Sequence, residues 1–180
     1  MDLDVVLFFP TKTTKKNIFF KIISLSAMPI GNFNFANITR IVFGQGQISA
    51  LPTLIPKTKT VFLTYGGGSI KRNGVYDQCM KALQGYNVQE FGGIEANPDF
   101  DTLVKAVDQV KKIGPDNVYL LAVGGGSVID GTKFIAAASK YEHSTDLWDV
   151  VASHGIHIKS AVPFGCVLTI AAVCALGVDS

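Results

Sequence analysis

The stretch that decides the fold is "NVYLLAVGGGSVIDGTKFIAAASK", residues Asn117 to Lys140. It opens on an apolar run, Val118 to Val123, of the kind expected in a strand covered on both faces. Gly124, Gly125 and Gly126 follow without a break, then Ser127, then a helix-forming segment rich in small residues. A helix start presents unpaired backbone N–H groups and about half a positive charge, which suits a phosphate. Bringing a phosphate within hydrogen-bond distance of that backbone leaves no room for a Cβ. The three glycines meet both demands, and Ser127 can add a hydroxyl donor. The alternative is a tight turn without a ligand, for which one glycine would normally suffice.

A second junction, "VFLTYGGGSIKR" from Val61 to Arg72, repeats the design. In an NAD site the strand end near the adenosine ribose holds an acid that bonds the 2′-hydroxyl and repels a 2′-phosphate. Here the neighbourhood offers Gly66, Gly67, Gly68 and Ser69, then Lys71 and Arg72, with no acid until Asp77. Backbone N–H groups, a hydroxyl and nearby cations suit a phosphate dianion; a solvated turn with two surface cations accounts for the stretch equally well. The usual dinucleotide fingerprint G-x-G-x-x-G is absent. "GQGQIS" ends on Ser49 and "GGGSVI" on Ile129, where the last glycine belongs.

Outward from these junctions the chain alternates strand and helix. "ITRIVFG" and "KTVFLTY" read as short strands, with the helical turn "GQISALPTLIP" between them. "NGVYDQCMKALQG" has Val75, Cys79, Ala82 and Leu83 on one helical face, with Gly85 as its stop, and "YNVQEFGG" alternates as a strand does. "NPDFDTLVKAVDQVKKIGP" is the clearest helix. Phe100, Leu103, Val107 and Val110 recur at three- and four-residue steps, acids lie at its start, lysines at its end, and Gly114-Pro115 stops it. "SAVPFGCVLTI" supplies one more buried strand. Short connections between alternating elements predict an α/β fold, an open, doubly wound, mostly parallel sheet.

The 180 residues are 48% hydrophobic with a formal net charge of +2, enough for one well-buried core. Near-neutral charge argues against nucleic acid as the main partner. Cys79, Cys166 and Cys174 form neither a disulfide framework nor a metal knuckle, so a reducing cytoplasmic setting is expected. Residues 1–31 are read as an extension, a tail or an upstream start, with Met28 as a natural alternative start. Its apolar pieces are too short to span a bilayer, and no membrane partner is expected.

The blocks "FNFANITRIVFGQGQ", "YGGGSIKRNGVYDQ", "EFGGIEANPDFDTL", "LLAVGGGSVIDGTKFIAAA" and "SAVPFGCVLTIAA" resemble, in order and spacing, the N-terminal half of the iron-containing (group III) alcohol dehydrogenases. The likeness is to their NADPH-dependent butanol dehydrogenase and aldehyde reductase branch, and runs over the domain read as 32–172. It implies a Rossmann-like, dehydroquinate-synthase-like dinucleotide domain, which in the family precedes a helical domain holding a divalent metal, iron or zinc. The implied reaction is reversible hydride transfer between NADP(H) and small aldehydes or alcohols, in an enzyme that is often homodimeric. By resemblance, Gly66, Gly67, Gly68 and Ser69, with Lys71 near, lie at the adenosine 2′-phosphate. Asn97 and Pro98 lie beside the adenine ribose, Gly124, Gly125, Gly126 and Ser127 at the pyrophosphate, Thr169 near the adenine, and Asp130 near the nicotinamide and substrate.

The resemblance stops after "LTIAA", where "VCALGVDS" replaces the family's Thr-Gly-Ser-Glu type loop, so residues 173–180 are read as a tail outside the family pattern. The family's metal-binding aspartate and histidines have no counterparts here. His154 and His157 are three apart in a segment too β-like and glycine-broken to place both on one helix face, and His143 stands alone, so the three are expected as exposed loop residues and no metal ligand is assigned. Without a Lewis acid, negligible turnover is expected from this chain alone. Two other readings remain open: a non-catalytic or unstable fragment, and the cofactor domain of a related polyol dehydrogenase. The Gly66 run with Lys71 favours NADP over NAD and speaks against the second. Cys79 and Cys166 are expected in the core, and Trp148 as a packing residue.

Overall fold

The computed structural model describes residues 4–7 and 39–170. Six strands form one sheet: β1 (Asp4–Leu7), β2 (Arg40–Phe43), β3 (Thr60–Tyr65), β4 (Val88–Phe91), β5 (Val118–Gly124) and β6 (Phe164–Leu168). Their order is β2-β1-β6-β5-β3-β4 and every pairing is parallel. The helices are α1 (Leu51–Leu54), α2 (Ser69–Arg72), α3 (Val75–Ala82), α4 (Phe100–Ile113), α5 (Gly126–Ala138) and α6 (Asp149–Ala152). The doubly wound parallel sheet expected from the sequence is observed.

Residue alternation divides the core into two layers. Val61, Leu63, Leu121, Val123 and Val167 face one side, against Ile48, Leu51, Ile70, Val75, Cys79 and Leu83. Phe62, Leu120, Ala122, Cys166 and Leu168 face the other, against Leu103, Val107 and Val110 of α4 and Val128, Ile129 and Ile135 of α5. All seven residues of β5 are buried, which is why its sequence is an unbroken apolar run rather than an alternating one. Burial pushes the Cys79 and Cys166 thiols up to about 12, so both behave as small apolar core residues.

The helix α4 keeps the boundaries its sequence suggested. The Asp99 carboxylate accepts hydrogen bonds from the Asp101 and Thr102 N–H groups at 3.0 and 3.2 Å, and Gly114 ends the helix at φ +95°. Between α5 and β3 a single polar link is buried. Thr64 and Thr132 hydroxyls lie 2.7 Å apart, and Thr132 also donates to the Val128 carbonyl at 2.7 Å. Both side chains are fully buried, and the Thr64 hydroxyl has Thr132 as its close partner.

Connectivity positions the site. The chain leaves β3 for its neighbour β4 on one side and leaves β5 for its neighbour β6 on the other. The sheet therefore has its topological switch point between β3 and β5, and the crevice outside their carboxyl ends is where such folds bind ligands. The two glycine runs sit at those two strand ends. Asp4–Leu7 adds a strand between β2 and β6; the proposed domain limits at 32 and 172, the tail 173–180 and Cys174 lie outside the described residues. Among the described residues, no helix is long and apolar enough to cross a membrane.

Candidate functional site

The two loops differ in what their glycines are for. At Gly124 a Cβ would stand 2.7 Å from Val128 Cγ2 and 2.9 Å from Val128 Cβ, so the protein's own packing forbids a side chain there. At Gly66 a Cβ would meet the Ile94 carbonyl at 3.1 Å and Val128 Cγ2 at 3.5 Å, and Gly68 is left-handed at φ +87°. Gly67 and Gly126 are different. Neither has a positive φ, and a Cβ on either would meet nothing within 4 Å. At Gly125, with φ −92°, a Cβ would make only ordinary contact with Ile170 at 3.8 Å. Folding does not require glycine at these three positions.

Val128 is the floor between the loops, since its Cγ2 lies below both Gly124 and Gly66. The helix α5 begins at Gly126 with no side-chain cap, which leaves N–H donors of its first turn for an external acceptor. Ser127 is part-buried at that helix start. The Thr169 N–H donates to the Gly124 carbonyl at 2.9 Å, bringing Thr169 alongside the β5 loop. On the other flank, Gly93 and Ile94 donate to the Gly66 and Tyr65 carbonyls at 3.1 and 3.2 Å, which ties the segment after β4 to the β3 loop. Asn97 follows at φ 57°, a left-handed conformation for a residue preceding proline. Pro98 approaches α5 at Gly131, where a Cβ would meet Leu103 Cδ2 at 2.9 Å and Pro98 Cγ at 3.5 Å. These contacts bring the segments that carry Gly66, Pro98, Gly124 and Thr169 together around the carboxyl ends of β3 and β5. Asp130 lies one turn into α5, exposed, with Lys133 Nζ 3.7 Å from its carboxylate.

Lys71 has a partner that sequence spacing could not reveal. Its ammonium lies 3.4 Å from the Glu90 carboxylate and 4.8 and 4.7 Å from the ring centres of Tyr65 and Tyr76. Both tyrosine hydroxyls donate to Glu90 as well. Burial pushes the Glu90 carboxyl up, but hydrogen bonds from Tyr76 and Lys71 and the pull of the Lys71 charge outweigh it, holding the group below its ordinary range. Glu90 stands 19 residues beyond Lys71 in the chain, and parallel pairing of β4 with β3 brings it to the glycine loop. An acid is thus present where the sequence neighbourhood of Gly66 showed none.

The crevice at the two loops offers bare glycine backbone and the uncapped start of α5, donors of the kind a phosphate accepts from. It does not supply a catalytic metal. Among the described residues one group of metal-ligating side chains comes together, His143, Asp149 and His157. It follows the end of α5 remote from the glycine loops, so no step at the crevice can be routed through it.

The chain is a parallel α/β domain with glycine-rich loops at the switch point of its sheet. The family model for iron-containing alcohol dehydrogenase matches residues 38–176, and the chain belongs to that family. It is 52% identical over 143 residues to the NADPH-dependent aldehyde reductase YqhD of Escherichia coli, covering 79% of this chain and 36% of that protein. It is 49% identical over 144 residues to a probable NADH-dependent butanol dehydrogenase of Bacillus subtilis, covering 78% and 36%. A substrate- and cofactor-free structure of the Escherichia coli reductase superposes with a TM-score of 0.73 at 53% identity, over 77% of this chain and 36% of that one. The NADH-dependent butanol dehydrogenase A of Thermotoga maritima superposes with a TM-score of 0.71 at 41% identity, over 78% and 35%. The chain spans about 36% of the length of the curated relatives it matches.

Proposed function

We propose that this chain supplies the NADP(H)-binding half of an aldehyde reductase or alcohol dehydrogenase that interconverts small aldehydes and primary alcohols. One observation supports the reading: Gly67, Gly125 and Gly126 lack side chains where neither packing nor backbone angle demands it, in the loops that follow β3 and β5. The pyrophosphate would take the uncapped start of α5, with Ser127 as an added donor. The adenosine end would lie across Gly66–Ser69, flanked by Asn97, Pro98 and Thr169. Asp130, four residues into the same helix, would face the nicotinamide side. When bound, the nicotinamide would supply a hydride to a carbonyl carbon. The chain's own residues would bind, orient and shield it.

The preference for the phosphorylated cofactor rests on Lys71, a cation four residues after Gly67, whose companion Glu90 is paired with it and held by two tyrosines. The two relatives named above divide between NADPH and NADH, so the choice is made locally. Fluorescence titration of the 180-residue chain with NADPH and NADH tests the proposal. Saturable binding, tighter for NADPH, is expected; no binding of either by folded material would overturn it, and tighter NADH would overturn the 2′-phosphate assignment.

A further inference from the structure

The long connection between α5 and β6 carries a cluster that the dinucleotide reading does not use. His143 follows α5, Asp149 begins α6, and His157 lies beyond the tight turn at His154 (φ 50°) and Gly155 (φ 76°). One ligand atom from each of the three lies within 4.8 Å of the other two. The imidazole rings of His143 and His157 are stacked, with centres 3.8 Å apart and planes 24° from parallel. His157 Nδ1 is 3.3 Å from Asp149 Oδ2. Two atoms bound to one tetrahedral zinc at about 2.0–2.1 Å stand roughly 3.3 Å apart. The Asp149–His157 pair already has that spacing, and His143, stacked on His157, would join it by turning its exposed side chain.

The surroundings favour an ion. The buried Tyr141 hydroxyl donates to Asp149 Oδ2, which orients the carboxylate as a second-layer donor does around a metal. The cluster borders a hollow of about 290 Å³ that Glu142 and Lys159 also line. Lys140 at its rim is neutralised by Asp116 at 2.7 Å, which limits its repulsion of a cation.

We infer that His143, Asp149 and His157 form a binding site for a divalent transition-metal ion of the zinc class. Two imidazoles and one carboxylate suit zinc, nickel, cobalt or copper over magnesium and calcium, which take oxygen ligands. Three protein ligands leave one position for water. The ion would clip the segment before α6 to the turn after it, at the end of the sheet remote from the cofactor crevice. The inference stands or falls independently of the dinucleotide proposal.

Cobalt(II) titration of the 180-residue chain, followed by visible ligand-field absorption, tests it, with zinc competing and wild-type imidazole proton signals recorded in parallel. Expected are one ion per chain, displacement by zinc, and paramagnetic broadening of the His143 and His157 signals with His154 less affected. His143→Ala, His157→Ala and Asp149→Asn should each weaken binding at least tenfold. Tyr141→Phe should weaken it by about tenfold, the usual loss for an outer-shell partner, and His154→Ala should leave it unchanged. A wild-type chain that takes up no cobalt at millimolar concentration overturns the inference. So does binding that leaves the His143 and His157 signals sharp, that shows thiolate charge-transfer absorption, or that survives the ligand substitutions. Should a substituted chain fail to fold, the wild-type broadening pattern alone decides.

Discussion

Gly126 and Gly124 stand two residues apart in one loop, yet substitution by alanine should act in opposite directions on stability. At Gly126 the new methyl meets nothing within 4 Å and the residue is the first of α5. Alanine there removes backbone freedom from the unfolded chain and favours the helix, worth about 0.4–1 kcal/mol. For a domain of this size that is a Tm rise of about 1–4 °C. At Gly124 the same methyl lies 2.7 and 2.9 Å from the Cγ2 and Cβ of Val128. The Val128 Cβ is fixed to the α5 backbone, so the side chain cannot rotate clear and strand and helix must separate. Overpacking of this kind costs about 1–3 kcal/mol, a Tm fall of about 2–12 °C. Cofactor binding should fall in both, for different reasons. At Gly126 the methyl occupies the approach of a phosphate to open N–H groups. Losing one charge-assisted hydrogen bond costs about 1.5–3 kcal/mol, or roughly ten- to 150-fold in Kd. Thermal melts with and without NADPH, paired with fluorescence titration, read both quantities. A Gly126→Ala chain that is at least as stable as wild type and binds NADPH equally well would refute the argument that this glycine is kept for a ligand.

Glu90→Gln should tighten NADPH relative to NADH, because an anion beside Lys71 is removed, whereas Lys71→Ala should weaken NADPH more than NADH; competitive titration of the two nucleotides checks both. The Lys71–Glu90 contact should also be acid-labile. Glu90 is held below its ordinary range in the fold, so its contribution is present above the unfolded value of about 4.3 and is lost as pH falls through the lower folded value. Melting temperatures recorded from pH 6 to 3 should fall less steeply in Glu90→Gln than in wild type. Thr132→Val removes the 2.7 Å partner of the buried Thr64 hydroxyl, leaving it a 3.5 Å contact with the Leu121 carbonyl. A loss of about 1–3 kcal/mol is expected by urea unfolding, and the double variant with Thr64→Val should recover part of it. An additive double variant would contradict the coupling.

What could be read from residue order alone was whatever depends on near neighbours. The apolar run Val118–Val123, the Asp99 cap, the lysines at 111 and 112 and the glycine stops are local chemistry, and they produced the strand and helix order that the fold has. The loops at Gly66 and Gly124 were legible for the same reason, because a strand, a glycine run and a helix start are contiguous. The one-turn helices α2 and α6 escaped notice, since Ser69–Arg72 and Asp149–Ala152 have too few residues to display a period, and β1 lies in the stretch read as an extension.

Contacts between distant segments were settled only by folding. The parallel register of β4 on β3 carries Glu90 to Lys71, and no count of residues from Gly66 outward reaches it. Reading His154 against His157 missed that the partner of His157 is His143, joined to it by the path of the chain around α6. Val128 looked like any helix residue until α5 was laid on the sheet, where it became the floor beneath both loops. Local sequence sets torsion preferences and patterns of burial over a few residues. Which side chains meet across a sheet depends on strand order and register, and those arise from packing the whole core at once.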